Sequence, residues 1–87
     1  MRIWARTFKD NRTIQELVVE NNEQDTRTHK VFDAIDKICY DFDLSRPIWL
    51  DSNISEFKRH SKVKFYSDSF IDDIPFDFLE VTVLEED

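Results

Sequence analysis

Apolar and polar positions follow a strand-like order at both ends of the chain and a helical order between them. Residues 2–9 and 13–20 interleave apolar and charged side chains as strands do. Asp10-Asn11 between them suits a tight hairpin, because Asn and Asp tolerate positive φ best after glycine. A two-residue loop there predicts Trp4 opposite Leu17 and Ile3 opposite Val18. One face of the hairpin would then carry Ile3, Ala5, Ile14 and Val18, and the other Trp4, Phe8, Leu17 and Val19.

After a polar connection over 21–27 the period changes. Placed at 100° per residue, Val31, Phe32, Ala34, Ile35, Ile38, Cys39 and Phe42 of 28–43 fall within an arc of about 160°. His29, Lys30, Asp33, Asp36, Lys37, Tyr40, Asp41 and Asp43 fill the remainder. This predicts an amphipathic helix capped by Asp25, Thr26 or Thr28. Ser45-Arg46-Pro47 breaks the chain, and Ile48-Trp49-Leu50 reads as a short strand or a buried plug. Asp51-Ser52-Asn53 predicts the cap of a short helix over 53–60, with Ile54 and Phe57 inward. Residues 62–66 alternate as a strand, Asp73-Ile74-Pro75 stops any helix, and 76–85 form the last strand. Leu79, Val81 and Val83 share one of its faces; Phe76, Phe78 and Leu84 share the other. The expected fold is α+β over a single domain, 1–87. An N-terminal hairpin and the C-terminal strand share an antiparallel sheet, the long amphipathic helix packs on it, and a short second helix follows.

Composition narrows the chemistry. Glycine is absent, where average usage would supply about six. Phosphate-cradling loops, dinucleotide fingerprints, nucleophile elbows and standard calcium loops all need it. The lone Cys39 allows no intramolecular disulfide, and no secretory apolar core follows Met1, so a reducing cytoplasm is the expected compartment. No apolar run approaches the ~20 residues of a membrane span. His29, Cys39 and His60 lack the paired spacing of a zinc site, and ten positions of helix, ~15 Å, separate the first two. Cys39 lies near its helix's C-terminus beside Asp36, Asp41 and Asp43, which favours the neutral thiol. No metal, cofactor or catalytic residue is expected.

The segments Asp25-Thr26-Arg27-Thr28-His29-Lys30-Val31-Phe32, Pro47-Ile48-Trp49-Leu50-Asp51 with Glu56-Phe57-Lys58-Arg59-His60, and Phe76-Asp77-Phe78-Leu79-Glu80 with Glu85-Glu86-Asp87 resemble those of a family of short, uncharacterised proteins from clostridium-like bacteria. The resemblance spans nearly the whole chain. It implies a small cytoplasmic bacterial protein and carries over no site residue.

Charge supplies the remaining candidates. Nineteen acids against twelve bases give a net charge of −7. Residues 45–64 nevertheless carry five bases and two acids, whereas 65–87 carry eight acids and no base. Arg46, Lys58, Arg59, Lys62 and Lys64 form a candidate basic patch, interleaved with Trp49, Phe57, Phe65 and Tyr66. Alone, that pattern is a nucleic-acid footprint. The net charge opposes a polyanion, and the C-terminal acids, Asp72, Asp73 or Glu80 among them, are the expected partners of these bases. A second candidate surface is His29, Asp33, Asp36, Lys37 and Tyr40 on the polar side of the 28–43 helix, since aromatics are enriched in contact hot spots. The expected function is therefore a small, non-catalytic interaction or regulatory protein binding another protein, as monomer or homodimer. The alternative is a nucleic-acid-associated accessory protein using 46–64.

Overall fold

The computed structural model describes residues 1–87 as an α+β fold. Its elements are β1 (Arg2–Lys9), β2 (Arg12–Glu20), α1 (Arg27–Phe42), α2 (Asp51–His60), β3 (Lys62–Phe65), a 3₁₀ turn (Ser67–Ser69) and β4 (Phe78–Glu85). The four strands form one antiparallel sheet in the order β2-β1-β4-β3. Ile3, Ala5, Val19, Val63, Phe65, Leu79 and Val81 of the sheet join Val31, Ala34, Ile35, Ile38 and Cys39 of α1 and Phe57 of α2 in one buried cluster.

Asp10 and Asn11 make the hairpin turn with φ of 51° and 64°, standing in for glycine in the left-handed region. The register beyond the turn departs from the simple two-residue expectation. Phe8 faces Thr13 but Thr7 faces Gln15, so Ile14 is an extra residue bulged out of the ladder. Trp4 therefore faces Val18 and Ile3 faces Val19. A one-residue slip exchanges the faces of a strand. Val19 is buried and Leu17 half-buried beside the core, whereas Ile14 and Val18 are exposed, the reverse of the pattern expected from even pairing.

Thr26 caps α1, its hydroxyl accepting the His29 N–H at 3.2 Å. The helix ends one residue earlier than its polar and apolar order suggests, because Asp43 turns left-handed at φ 56°. The Asp43 and Leu44 amides then donate to the Tyr40 and Cys39 carbonyls, a Schellman closure made without glycine. Two side chains leave their expected sides. Phe32, at the rim of the apolar arc, is 46% exposed. Lys30 is 4% exposed, its ammonium held by the Asp87 carboxylate. That carboxylate also accepts from the Met1 amino group at 2.6 Å. The hydrogen bonds from Lys30 and then from that amino group hold Asp87 below the ordinary carboxylate range.

The second helix starts at Asp51 rather than at 53, and Asn53 is its third residue, not its cap. The Asn53 side chain is buried. Its Oδ1 accepts from the Leu50 N–H at 2.9 Å and the Ser69 hydroxyl at 3.1 Å, while its Nδ2 donates to the Lys64 carbonyl at 3.2 Å. One amide thus joins the start of α2, the edge strand β3 and the 3₁₀ turn. Residues 48–50 form no strand. Trp49 instead plugs the gap between the helices, edge-on to Phe57 at 5.6 Å and Phe65 at 5.0 Å between ring centroids. The last strand begins at Phe78 rather than 76 and lies inside the sheet, between β1 and β3.

Cys39 is 4% exposed, and burial, followed by the nearby Asp36 charge, pushes its thiol up to about 11. Two pKa units above the ordinary 9.0 correspond to about a hundredfold less thiolate. An aromatic disulfide reagent should label native protein at least that much more slowly than protein in denaturant. Rapid native labelling would show an accessible, activated thiol.

Candidate interaction surfaces

The polar stripe of α1 is solvated along its length. Tyr40 stands 86% exposed, and Asp33 and Lys37 are also exposed. His29 Nδ1 lies 2.9 Å from Asp25 Oδ1. Asp25 sits below the ordinary carboxylate range, through the Thr26 amide first and the His29 bond second. Asp36 is half-buried and takes Arg46 Nε at 2.8 Å. Arg46 is thus drawn to α1 and separated from the other four members of the basic patch.

The other four do not form one patch: Lys58 lines the groove between the helices, whereas Lys62 and Lys64 alternate with buried Val63 and Phe65 and so project from the far face of the sheet, where Lys64 Nζ lies 5.1 Å over Phe78. Lys58 and Arg59 occupy the last turn of α2, where cations complement the helix dipole. Lys62 and Lys64 follow on β3, a sheet edge, where lysines discourage strand-to-strand aggregation. Contrary to the expectation from charge order, none of the four is within 4 Å of a carboxylate. The C-terminal acids have other partners: Glu80 with Arg6, Glu85 with Arg2, Glu86 with Arg27, and Asp87 with Lys30 and Met1. Topology is the cause, since β4 runs antiparallel beside β1 and delivers its acids to the bases of the N-terminal half. Asp72 accepts from the Ser45 hydroxyl at 2.5 Å. The interleaved aromatics also divide. Phe65 is fully buried and Phe57 nearly so, while Tyr66 is 50% exposed and leans on Phe78 at 5.4 Å.

No known protein family, curated protein or solved structure matches this chain. Function must therefore be read from the surfaces themselves. No three His, Cys, Asp or Glu side chains converge as a metal set would require. No helix is long and apolar enough to cross a membrane.

Two surfaces emerge that the linear pattern did not single out. The first is a groove of about 310 Å³ between α1 and α2. Val31, Phe32, Trp49, Ile54 and Phe57 form its apolar walls, and Arg27 and Lys58 stand at its rim. Phe32 meets the Trp49 ring at 6.1 Å, and the Arg27 guanidinium lies 5.0 Å over Phe57. Glu86 at 2.9 Å and Ser61 at 3.2 Å hold that guanidinium in place. The marks of this groove in the sequence are Phe32 at the rim of the helical arc and the Ile54/Phe57 pair. Neither reveals that Trp49 brings the two helices together.

The second is the sheet face turned away from the helices. Arg6 lies between fully buried Ala5 and Thr7 and so projects from the opposite side. Its guanidinium stacks 3.7 Å over Trp4 and 4.9 Å from Phe8. Trp4 Nε1 donates to Glu16 at 2.7 Å, Phe8 stacks on Phe78 at 4.9 Å, and Lys64 Nζ lies 5.1 Å over Phe78.

Proposed function

We propose that this chain is a small, non-catalytic interaction module that takes an acidic, amphipathic segment of another protein into the α1–α2 groove. The observation that carries this reading is the exposure of Phe32 and Ile54 around Trp49, beside a Lys58 that has no internal partner. Apolar walls reward apolar anchors spaced as on a helix, and the basic rim favours carboxylates at the margin. A groove of this size holds two or three side chains, so the apolar anchors of the segment are few.

The test is fluorescence anisotropy with a labelled synthetic helix bearing Leu or Phe at i, i+3, i+4 and i+7 and Glu between them. Saturable binding is expected. A Phe32→Ser/Ile54→Ser variant should abolish it, and Lys58→Glu should weaken it about fivefold at low salt, the worth of one rim charge near 1 kcal/mol. No binding, or binding indifferent to the Phe32/Ile54 pair, would refute the groove.

A second reading rests on Lys62 and Lys64, unpaired on the outer side of β3 with the half-exposed Tyr66 following them, and on Lys58 and Arg59, unpaired at the end of α2. It makes the chain a nucleic-acid accessory protein, binding single strands by phosphate contacts and stacking. A labelled oligonucleotide in the same assay separates the two. Binding that falls steeply with salt, and disappears when all four bases become Ala, supports this second reading. The net charge of −7 opposes a polyanionic strand more than a short apolar-anchored segment with a few carboxylates, which favours the protein-binding reading.

A further inference from the structure

From the strand register we infer that the uncovered face of the sheet is the contact between two copies of this chain. Cross-strand partners lie side by side on one face, so the register can be read as rows crossing the sheet. One central row runs Glu16, Arg6, Glu80, Lys64 across β2, β1, β4 and β3. Its charges alternate: negative, positive, negative, positive. Read from either edge, each acid of one direction stands where the other direction has a base.

That order is self-complementary under one symmetry. A two-fold axis running along the strands, between two facing sheets, lays β2 of one copy over β3 of the other and β1 over β4. Position along the strands is unchanged. Glu16 then meets Lys64 of the second copy twice, while the Arg6–Glu80 pair of each copy, with Glu80 only 5% exposed beneath its own Arg6, lies against the same pair of the second copy in opposite order. The next row toward the hairpin turn places Phe8 over Phe78 of the second copy, extending the stack those rings already form within one copy. On the other side Trp4 meets Thr82 of the second copy, and the 42% exposed Val18 is covered. A two-fold across the strands would instead set β2 on β2 and β3 on β3, bringing like charges together. The charge row therefore selects both the occupant and its orientation.

The area limits the contact. Strands ~4.8 Å apart, three of them eight or nine residues long and β3 only four, cover about 470 Å² per copy, or about 950 Å² in total. This is the low end for a specific interface, and the charged row must lose some water. A dimer in the micromolar range is expected, with the groove on the helical side left free. The inference stands whether or not that groove binds a peptide.

Sedimentation equilibrium of the full chain from about ten micromolar to about one millimolar should show a reversible monomer–dimer equilibrium. Lys64→Glu alone and Glu16→Lys alone each create two like-charge crossings in a symmetric dimer, and each should weaken self-association roughly tenfold or more. An equimolar mixture of the two variants should associate again, because the mixed pair restores opposite charges at both crossings between positions 16 and 64. Both variants should still unfold cooperatively, with midpoints lowered modestly because Lys64→Glu faces Glu80 and Glu16→Lys faces Arg6 across the strands. A parent chain that stays monomeric would overturn the inference. So would a dimer unaffected by either substitution, or variants that fail to associate on mixing. If the face serves a nucleic acid instead, Lys64→Glu would reduce oligonucleotide binding and mixing would not restore it.

Discussion

Ile38→Asp should unfold the protein at room temperature. Ile38 is fully buried on α1, in a cluster that draws on both helices and all four strands. Truncating such a side chain alone costs about 2–5 kcal/mol, and a carboxylate in its place adds the cost of burying an unpaired charge. Folds of this size have roughly 5–10 kcal/mol in hand. Loss of the far-UV helical signal and of a cooperative urea transition is the expected result, and Ile35→Asp should behave alike. Asp33→Ala, one turn away on the solvated side, should stay within about 0.5 kcal/mol of the parent. Comparable losses in all three would mean that the inner face of α1 lies elsewhere.

Asn53→Ala should cost about 2–4 kcal/mol, far more than an Asn-to-Ala change on a helix surface. The substitution strips a partner from the Leu50 amide, the Ser69 hydroxyl and the Lys64 carbonyl together. A buried polar group left unpaired costs about 1–3 kcal/mol, and the partial exposure of Leu50 and Lys64 lets water relieve two of the three. Asn53→Asp tests the donor separately: it retains the acceptor for Leu50 and Ser69 but sets a carboxylate oxygen against the Lys64 carbonyl. It should be at least as damaging. Ser52→Ala, exposed on the same turn, is the control and should change stability by less than about 0.5 kcal/mol. Urea midpoints of the variants provide the measurement. An Asn53→Ala midpoint equal to that of Ser52→Ala would show that the three segments are not held by this amide.

In the candidate surfaces, what depends on near neighbours along the chain was legible in the sequence and what depends on distant ones was not. The arc of α1 was legible because a helix repeats its environment every 3.6 residues, so Val31, Ala34, Ile35, Ile38 and Cys39 at its centre declare their burial without reference to any other element, whereas Phe32 at its rim does not. The same grounds set Tyr40 opposite the apolar arc without saying what covers it, and the structure leaves it 86% exposed. The pairing of the basic patch could not be read in this way. Charge order along the chain suggested that Lys58, Arg59, Lys62 and Lys64 would meet the acids that follow them. An ion pair depends on which strands lie side by side, and β4 lies against β1 as well as β3. Glu80 has Lys64 as a cross-strand neighbour and still bonds to Arg6. The groove was hidden for a similar reason. Phe32 lies some seventeen residues from Trp49, and only the packing of α2 brings them to one surface.

What the sequence determined by itself was local: the left-handed turn at Asp10-Asn11, the Thr26 cap within the expected set, the α+β alternation of periods, and the absence of glycine-dependent phosphate loops. Each depends on residues within about one turn of one another, where backbone sterics and short-range hydrogen bonds decide the outcome. Tertiary structure decided the bulge at Ile14, the burial of Lys30 against Asp87, the inward turn of Asn53 and the charge row Glu16-Arg6-Glu80-Lys64. In each of these a side chain is satisfied by a residue on another element. At Ile14 the local preference was overridden outright: even pairing would have buried Ile14 and Val18, and one extra residue in the strand put Leu17 and Val19 against the helices instead. Because strand side chains alternate with a period of two, that single residue exchanged the faces of the rest of β2, a change no pattern within the strand could reveal.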